Sequence, residues 1–169
     1  GIGVLNAETT WALMAKGTQV DGLTELGESM IRHGRTTESK LRDFVEHETF
    51  QCRAKCYDAL ALMDSRSDSP KETQTRLCLY SYGVWGLSSN YSVPGISFDN
   101  GAAITLDLAD PELLIGIEYD GDHHRTDRTQ WRRDAWKRRQ LESMGWTVVS
   151  VTQLDLSDEP HRAAFAMNI

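Results

Sequence analysis

The chain has 169 residues, of which 40% are apolar and 25% charged, a balance typical of a folded domain and not of a disordered segment. No apolar run reaches the about 18–20 residues needed to cross a bilayer, and no secretory leader is visible, so we expect no membrane partner and a cytoplasmic location. A net charge of −7, spread evenly, would repel DNA, so the total charge alone argues against a nucleic-acid partner.

The first part of the chain predicts an α-helical subdomain over residues 1–67. Its apolar residues recur at helical spacing, as Leu23, Leu26 and Met30 do. No strand pattern interrupts the series, and the small polar residues 64–69 are typical of a linker. The four candidate helices lie near residues 8–16, 21–33, 37–48 and 51–63.

The cysteine count is three, an odd number that favours free thiols in a reducing compartment over a disulfide framework. Cys52 and Cys56 stand one helical turn apart, and no further ligands of suitable spacing are nearby. They are therefore predicted to be buried structural cysteines and not metal ligands.

The second part of the chain predicts alternating strands and helices. A capping box formed by Ser69 and Glu72, with Pro70 at the first helical position, opens a helix that runs to about Tyr82. Extended segments, a long helix and a last strand follow, which gives the order α-β-β-β-α-β. Their approximate limits are residues 90–98, 103–108, 113–120, 127–144 and 146–152.

Acidic side chains gather on two of these strands. Asp110 and Pro111 predict a turn, and a turn centred between residues 111 and 112 would put Asp107 across from Gly116. Glu118 would then be a diagonal neighbour of Asp107 on the same face, about 7–8 Å away by Cα. Side chains alternate along a strand, so Asp120 would share this face, while residues 115, 117 and 119 form an apolar one.

Three neighbouring carboxylates repel one another unless a proton or a cation compensates them. Mg²⁺ or Mn²⁺ is the natural partner, because these hard ions prefer oxygen ligands. The adjacent imidazoles of His123 and His124 could bind a metal, accept a proton or donate to a phosphate. The alternative is a polar surface hairpin with unconnected charges.

Positive charge is concentrated directly after the acidic residues. Residues 125–139 contain seven Arg and Lys residues against two Asp residues, although the whole chain is acidic. Contact with DNA phosphates requires such a concentration, while a solvated helix face is the alternative. The DNA-binding candidates are Arg125, Arg128, Arg132, Arg133, Lys137 and Arg138.

The five tryptophans are predicted to serve mainly in packing. Trp131 and Trp136 lie on the basic helix and could stack on bases, but core packing is the more frequent role on a helix of this kind. Trp11, Trp85 and Trp146 are assigned to packing as well.

The stretch DLADPELLIGIEYDGDHHR, followed by RRDAWKRRQLESMGWTVVSVT, resembles the Vsr-like nucleases of the PD-(D/E)XK superfamily, which are relatives of the very-short-patch repair endonuclease. The resemblance covers about residues 68–156. It implies an α/β (α+β) restriction-endonuclease-like core, in which helices flank a mixed four-stranded sheet, preceded by the helical subdomain. The matching positions are Asp107, Glu118, Asp120, Gly121, His124, Asp134, Lys137, Leu141, Gly145 and Trp146.

The resemblance implies a metal-dependent DNA endonuclease acting in DNA repair, restriction or phage defence. Asp107, Glu118 and Asp120 would hold Mg²⁺ or Mn²⁺, and His124 would act as general base or phosphate contact. Glu72 would also point toward the metal, although its capping role alone explains the residue.

Two departures from the superfamily pattern affect this expectation. Asp120 stands where the superfamily has a lysine, so the missing positive charge must come from His124, Lys137 or a second metal ion. Lys137 stands where relatives usually have arginine. Both changes leave room for an altered or inactive site.

A second hypothesis is therefore a catalytically inactive, nuclease-fold protein that binds DNA or regulates a partner. The helical segments ETTWALMAKG and LTELGESMIRHG resemble those of actinobacterial antitoxin-like proteins of abortive-infection systems. Such proteins often carry a winged-helix region, which we expect upstream of Gly1. A third hypothesis is a protein-interaction domain with no nucleic-acid partner.

Overall fold

The computed structural model describes residues 5–121 and 128–169, the side chains of residues 128–130 excepted. The chain forms two compact units, Gly1–Gln74 and Thr75–Ile169. Within the described ranges, no helix combines the length and the apolar character that a bilayer crossing demands.

The first unit is helical, as the sequence predicts. Helices α1 to α4 span Ala7–Met14, Val20–Arg32, Glu38–His47 and Arg53–Leu62. Polar residues cap two of them, since the side chain of Asn6 accepts from the Thr9 amide and that of Thr37 from the Lys40 amide. The helices enclose one core whose buried members include Trp11, Leu23, Leu41, Val45 and Leu60.

The two neighbouring cysteines of the first unit have different surroundings. Cys56 is buried in the helical core, whereas Cys52 is exposed, so the prediction that both are buried is wrong for Cys52. Cys52 precedes α4 with a left-handed φ of 63°, outside the regular helix, and this position turns its side chain to solvent.

The second unit contains the predicted mixed sheet. Helix α5, Pro70–Ser81, begins in the first unit and ends in the second. The sheet order is β1-β2-β3-β4, with two antiparallel pairings followed by a parallel one. The remaining elements are β1 Ser88–Ser97, β2 Ala103–Asp110, β3 Ile115–Tyr119, α6 Arg128–Ser143, β4 Thr147–Val151 and α7 Glu159–Ala166. The order α-β-β-β-α-β is thus confirmed, and α7 follows as a helix that the sequence analysis did not predict.

Helices cover both faces of this sheet. Val148 belongs to the core shared with Leu141 of α6, and its neighbour Val149 packs against the core shared with Leu79 of α5 and Phe165 of α7. Adjacent residues of a strand point to opposite faces, so each strand contributes to both cores. This layering determines which side chains of β2, β3 and β4 face α6.

The register between β2 and β3 differs from the predicted one. Ala109, not Asp107, lies opposite Gly116, and the last pair of the ladder is Leu108 with Ile117, just before Asp107 and Glu118. The predicted register is wrong by two residues, and Asp107 and Glu118 lie directly beyond the last pair of the ladder, where the Asp107 carboxylate accepts from the Tyr119 amide.

The connection between these strands explains the register. Residues 111–114 form a four-residue loop in which the Asp110 carboxylate accepts hydrogen bonds from the amides of Glu112 and Leu113, both at 3.0 Å. Leu114 has a left-handed φ of 56° and returns the chain into β3. A two-residue turn, which the sequence suggested, would have moved the strand pairing.

Candidate active site

An open cleft of about 540 Å³ lies between α6 and the α6-facing side of the sheet. Strands β2, β3 and β4 each contribute side chains to it: the parallel register pairs Glu118 with Ser150, and a hydrogen bond from the Tyr119 amide holds the Asp107 carboxylate beside β3. The cleft is lined by Asp107, Glu118, Tyr119, Asp120, Trp131, Asp134, Ala135, Lys137, Arg138 and Ser150. The structure thus brings the three predicted acids to one cleft.

Asp107 stands where β2 changes its packing. Leu106 and Leu108 are two residues apart, yet Leu106 belongs to the α6-side core and Leu108 to the opposite one. On β1, Asn90 interrupts the regular strand with a left-handed φ of 47°. The Asp107 carboxylate accepts a hydrogen bond of 2.8 Å from the Tyr119 amide, which joins β2 to β3 beside Glu118.

Glu118 is a half-buried carboxylate that forms an ion pair with the Lys137 ammonium of α6. Burial raises the pKa of Glu118 above its usual value, because desolvation disfavours the charged form. The nearby Lys137 opposes this shift, and the negative charge of Asp107 adds to it. Glu118 is therefore a carboxylate for which a cation would relieve an unfavourable environment.

The acids do not form a cluster of three converging ligands. Within residues 5–121 and 128–169, no group of three His, Cys, Asp or Glu side chains is close enough to hold a metal ion. Asp120 is exposed at the end of β3, where its amide donates to the Val151 carbonyl at 2.7 Å. Any protein-held ion in this cleft would thus rest chiefly on Asp107 and Glu118.

Ser150 belongs to the cleft although the sequence analysis did not single it out. Strand β4 pairs in parallel with β3 and places Ser150 beside Glu118, and the Ser150 hydroxyl accepts a hydrogen bond from the Arg138 guanidinium. The signal was present in the sequence, since Ser150 is a polar residue inside an otherwise apolar strand. It could be interpreted only once the parallel register was known.

Two tryptophans assigned to packing are exposed instead. Trp131 lines the cleft with 68% of its surface exposed, and Trp85 is 60% exposed and stacks on Tyr80. The packing prediction is wrong for both, whereas Trp11 and Trp146 are buried as predicted. Trp131 lies on the flank of α6 that faces the cleft and not the sheet core, which accounts for its exposure.

The basic candidates separate into two groups on α6. Lys137 and Arg138 line the carboxylate cleft, whereas Arg132 and Arg133 line a different cleft on the other flank of the helix. His123, His124 and Arg125 lie outside the described residues, and so does the side chain of Arg128. Their predicted roles stay predictions.

Glu72 has a capping role in the structure. Its amide donates to the Ser69 hydroxyl at 3.1 Å, which is one half of a capping box, and its carboxylate accepts at 2.7 Å from the amide of Asp68, the residue before Ser69. Glu72 belongs to the first unit and the carboxylate cleft to the second. Its contribution to a metal site stays a prediction.

Comparison with known proteins gives no functional name. The chain is 26% identical over 107 residues to uncharacterized proteins from two strains of Mycobacterium tuberculosis, which covers 63% of this chain and 38% of each relative. The chain therefore matches well under half the length of these relatives. No family model matches the chain, and no solved structure matches it significantly.

Proposed function

We propose that this chain is a metal-dependent DNA endonuclease of the Vsr-like, PD-(D/E)XK kind. The observation that carries the proposal is the pair of neighbouring carboxylates, Asp107 and Glu118, beside the Lys137 ammonium in an open cleft. Two strands and a helix hold these groups, so their relative positions do not depend on a loop. DNA repair, restriction and phage defence are the processes in which such an activity would serve.

The donor set fits Mg²⁺ or Mn²⁺. Mg²⁺ usually keeps several waters and binds through one or two carboxylates together with substrate phosphate. Asp107 and Glu118 would provide the two carboxylates, and Asp120 and Asp134 line the same cleft. When bound, the ion would acidify a coordinated water and polarise the scissile phosphate. In the hydrolysis, the water oxygen would bond to phosphorus while the bond from phosphorus to the departing sugar oxygen breaks. The water would lose one proton to solvent, and the sugar oxygen would take one from it.

Lys137 supports the proposal because it brings a positive charge to a cleft in which Asp120 replaces the lysine of the superfamily pattern. The cleft has aspartate where the superfamily pattern has lysine, and Lys137 of α6 brings an ammonium to the Glu118 carboxylate from the opposite wall. In the proposed reaction its positive charge would stabilise the negative charge that develops on the phosphate in the transition state. Lys137 is the group that we assign to stabilising this charge.

The remaining lining groups suit a DNA strand. Arg138 is exposed at the cleft and can contact a phosphate flanking the scissile bond. The uncovered Trp131 ring offers a stacking surface to a base, a contact that every base can make. These contacts bind and orient DNA without selecting a sequence.

The test is cleavage of plasmid and single-stranded DNA with Mg²⁺ or Mn²⁺. Wild type is compared with Asp107→Ala, and with Glu112→Ala as a control that removes an exposed acid from the β2–β3 loop. We expect cleavage by wild type and by Glu112→Ala, and a loss of at least a hundredfold in Asp107→Ala. Equal activity of all three proteins would reject the assignment.

The Glu118–Lys137 pair also favours a second candidate, a nuclease-fold protein that binds DNA without cutting it. An ammonium already neutralises the carboxylate, so the cleft can persist without a metal ion. This candidate predicts tight DNA binding, no cleavage under any divalent ion and no heat of Mn²⁺ binding in calorimetry. Absence of salt-dependent DNA binding would instead favour a protein-interaction domain.

A further inference from the structure

A second cleft lies on the opposite flank of α6 from the carboxylates. Its volume is about 360 Å³, and none of its lining residues lines the first cleft. Two aromatic rings, two guanidinium groups and a polar turn meet there. The lining residues are Phe98, Asp99, Asn100, Arg132, Arg133 and Trp136.

The turn between β1 and β2 holds Phe98 in a fixed place. The Phe98 amide donates to the Ala102 carbonyl at 2.9 Å, and the Phe98 carbonyl accepts from the Gly101 amide at 2.8 Å. Asn100 adds a bond, because its side-chain oxygen accepts from the Ala102 amide at 3.1 Å. Gly101 has a φ of 80°, which a glycine adopts at no steric cost, and it closes this tight hairpin.

The aromatic rings and a guanidinium form one continuous wall. The ring centroids of Phe98 and Trp136 are 5.6 Å apart at an angle of 37°, and the guanidinium carbon of Arg133 lies 3.9 Å from the Phe98 ring centroid. Planar groups of this kind bind other planar π systems, and guanidinium groups bind phosphate. A ligand that satisfies both needs a flat ring linked to a phosphate, which describes a nucleotide.

The geometry of α6 favours a nucleic-acid strand over a free nucleotide. Residues advance by about 100° around a helix, so Arg132 and Trp136 occupy one flank and Trp131 and Arg138 the other. Arg139 is exposed on the outer face between the two flanks. A helix with its side chains is about 10–12 Å across, so a ligand in both clefts must be a chain of several units.

We infer that this second cleft takes one unpaired nucleobase of the DNA strand that is cut at the carboxylate cleft. The base stacks on the platform that the Trp136 ring and the Arg133 guanidinium form, with Phe98 supporting the guanidinium from below, and Arg132 contacts the phosphate beside it. Bases in a duplex are stacked inside it and cannot enter such a cleft, so the cleft selects single-stranded or locally unpaired DNA. The inference rests on the proposed function in taking DNA as the substrate.

The experiment measures binding of a fluorescein-labelled oligothymidine in EDTA, where no cleavage interferes. Phe98→Leu keeps an apolar side chain but removes the π face, and Trp85→Leu is the matched control, since Trp85 is an exposed aromatic residue in neither cleft. We expect about tenfold weaker binding by Phe98→Leu and unchanged binding by Trp85→Leu.

A scan with abasic nucleotides tests the same cleft without altering the protein. Moving one abasic position along the oligonucleotide should weaken wild-type binding about tenfold at one or two positions, and Phe98→Leu should lose this dependence. Wild-type binding that ignores every abasic position, Phe98→Leu binding equal to wild type, or equal affinity for duplex would each overturn the inference.

The two proposals can fail separately. If Asp107→Ala abolishes cleavage while the abasic scan shows no dependence, the base cleft is wrong and the nuclease stands. If no protein cleaves DNA while the scan and Phe98→Leu behave as expected, the nuclease is wrong and a single-strand binding site remains. Absence of any oligothymidine binding by wild type overturns the base cleft as well.

Discussion

Lys137 is central to the chemistry that we propose for the carboxylate cleft. Its ammonium contacts Glu118, whose pKa is raised by burial and by the charge of Asp107. The same ammonium can pair with the half-buried Glu118 carboxylate when no metal is bound, and with a phosphate when substrate is bound. Substitution at this position therefore separates a charge role from a packing role.

Lys137→Met should lower cleavage by about a hundredfold or more, because removing one preorganised charge beside the developing negative charge costs about that much in transition-state stabilisation. Lys137→Arg should retain most of the activity, since it preserves the charge. Initial rates of plasmid nicking in Mn²⁺, with Mn²⁺ affinity measured in parallel, check both variants. A Met variant as active as the Arg variant would remove Lys137 from the mechanism.

Cys56 should be far less reactive than Cys52. Burial raises the pKa of the Cys56 thiol to about 11, so at pH 8 almost none of it is the reactive thiolate, whereas Cys52 is exposed. Ellman's reagent at pH 8 should modify Cys52 first, and Cys52→Ser should remove this fast phase.

The buried thiol also makes stability depend on pH. Because the pKa of Cys56 is higher in the folded than in the unfolded protein, Cys56 favours unfolding as pH rises from about 9 to 11. Unfolding titrations over that range should show stability falling with pH, less so in Cys56→Ala.

The residue identities of the site were predictable, but the surroundings of several residues were not. Alternation along β3 placed Glu118 and Gly116 on one face, and that face is the one that α6 covers. Whether Trp131 packs or is exposed depends on which flank of α6 meets the sheet. A helix whose two flanks both carry tryptophan and arginine gives no signal for that choice.

At the scale of the elements, Gly116 shows how closely a side chain of β2 packs against the backbone of β3. The space beside it is filled, since a Cβ added at Gly116 would lie 2.7 Å from a methyl carbon of Leu106. Leu106 is fully buried in the α6-side core. The glycine thus permits close packing of Leu106 instead of leaving room for the acids.

Gly116→Ala should destabilise the second unit by about 1–3 kcal/mol, because the added methyl group forces a buried leucine out of its position. Gly121→Ala is the control, since among the described residues its Cβ would meet the Tyr119 ring at an ordinary contact distance of 3.7 Å. Urea unfolding followed by circular dichroism measures both variants. Equal urea midpoints for the two variants would mean that the contact with Leu106 does not limit the side chain at position 116.

The order of elements followed from hydrophobic periodicity, while the register and the last helix did not. Helix limits agree within a few residues because caps such as Asn6 and Thr37 and stops such as Gly34 mark them locally. The β2–β3 register depends on the left-handed backbone conformation of Leu114, which the sequence of the loop does not predict. Helix α7 is only eight residues long, too short for a clear periodic pattern.

At the scale of the whole molecule, charge is distributed unevenly. The net charge is −7, yet α6 exposes Arg132, Arg133, Arg138 and Arg139 along its length. A bound DNA strand would therefore contact a narrow strip of arginines on a protein that is acidic overall. Binding should depend on few phosphate contacts and on a correct approach of α6.

Arg139→Gln should weaken oligothymidine binding and reduce the slope of log affinity against log salt by about 0.7, the share of one phosphate contact on a single strand. Lys40→Gln is the control, because this exposed lysine belongs to the helical first unit. Fluorescence anisotropy between 50 and 300 mM salt, on the order of the physiological range, gives both slopes. A slope unchanged in Arg139→Gln would exclude the outer face of α6 from the DNA path.

The Glu118–Lys137 pair gives the protein a counter-ion of its own. Folding would then not require a metal ion, and protein treated with a chelator should stay folded and able to bind metal. Cutting would follow the local supply of magnesium or manganese, while synthesis and storage would not. If the chain cuts DNA as we propose, this ion pair would let it fold and persist before either the ion or the strand binds.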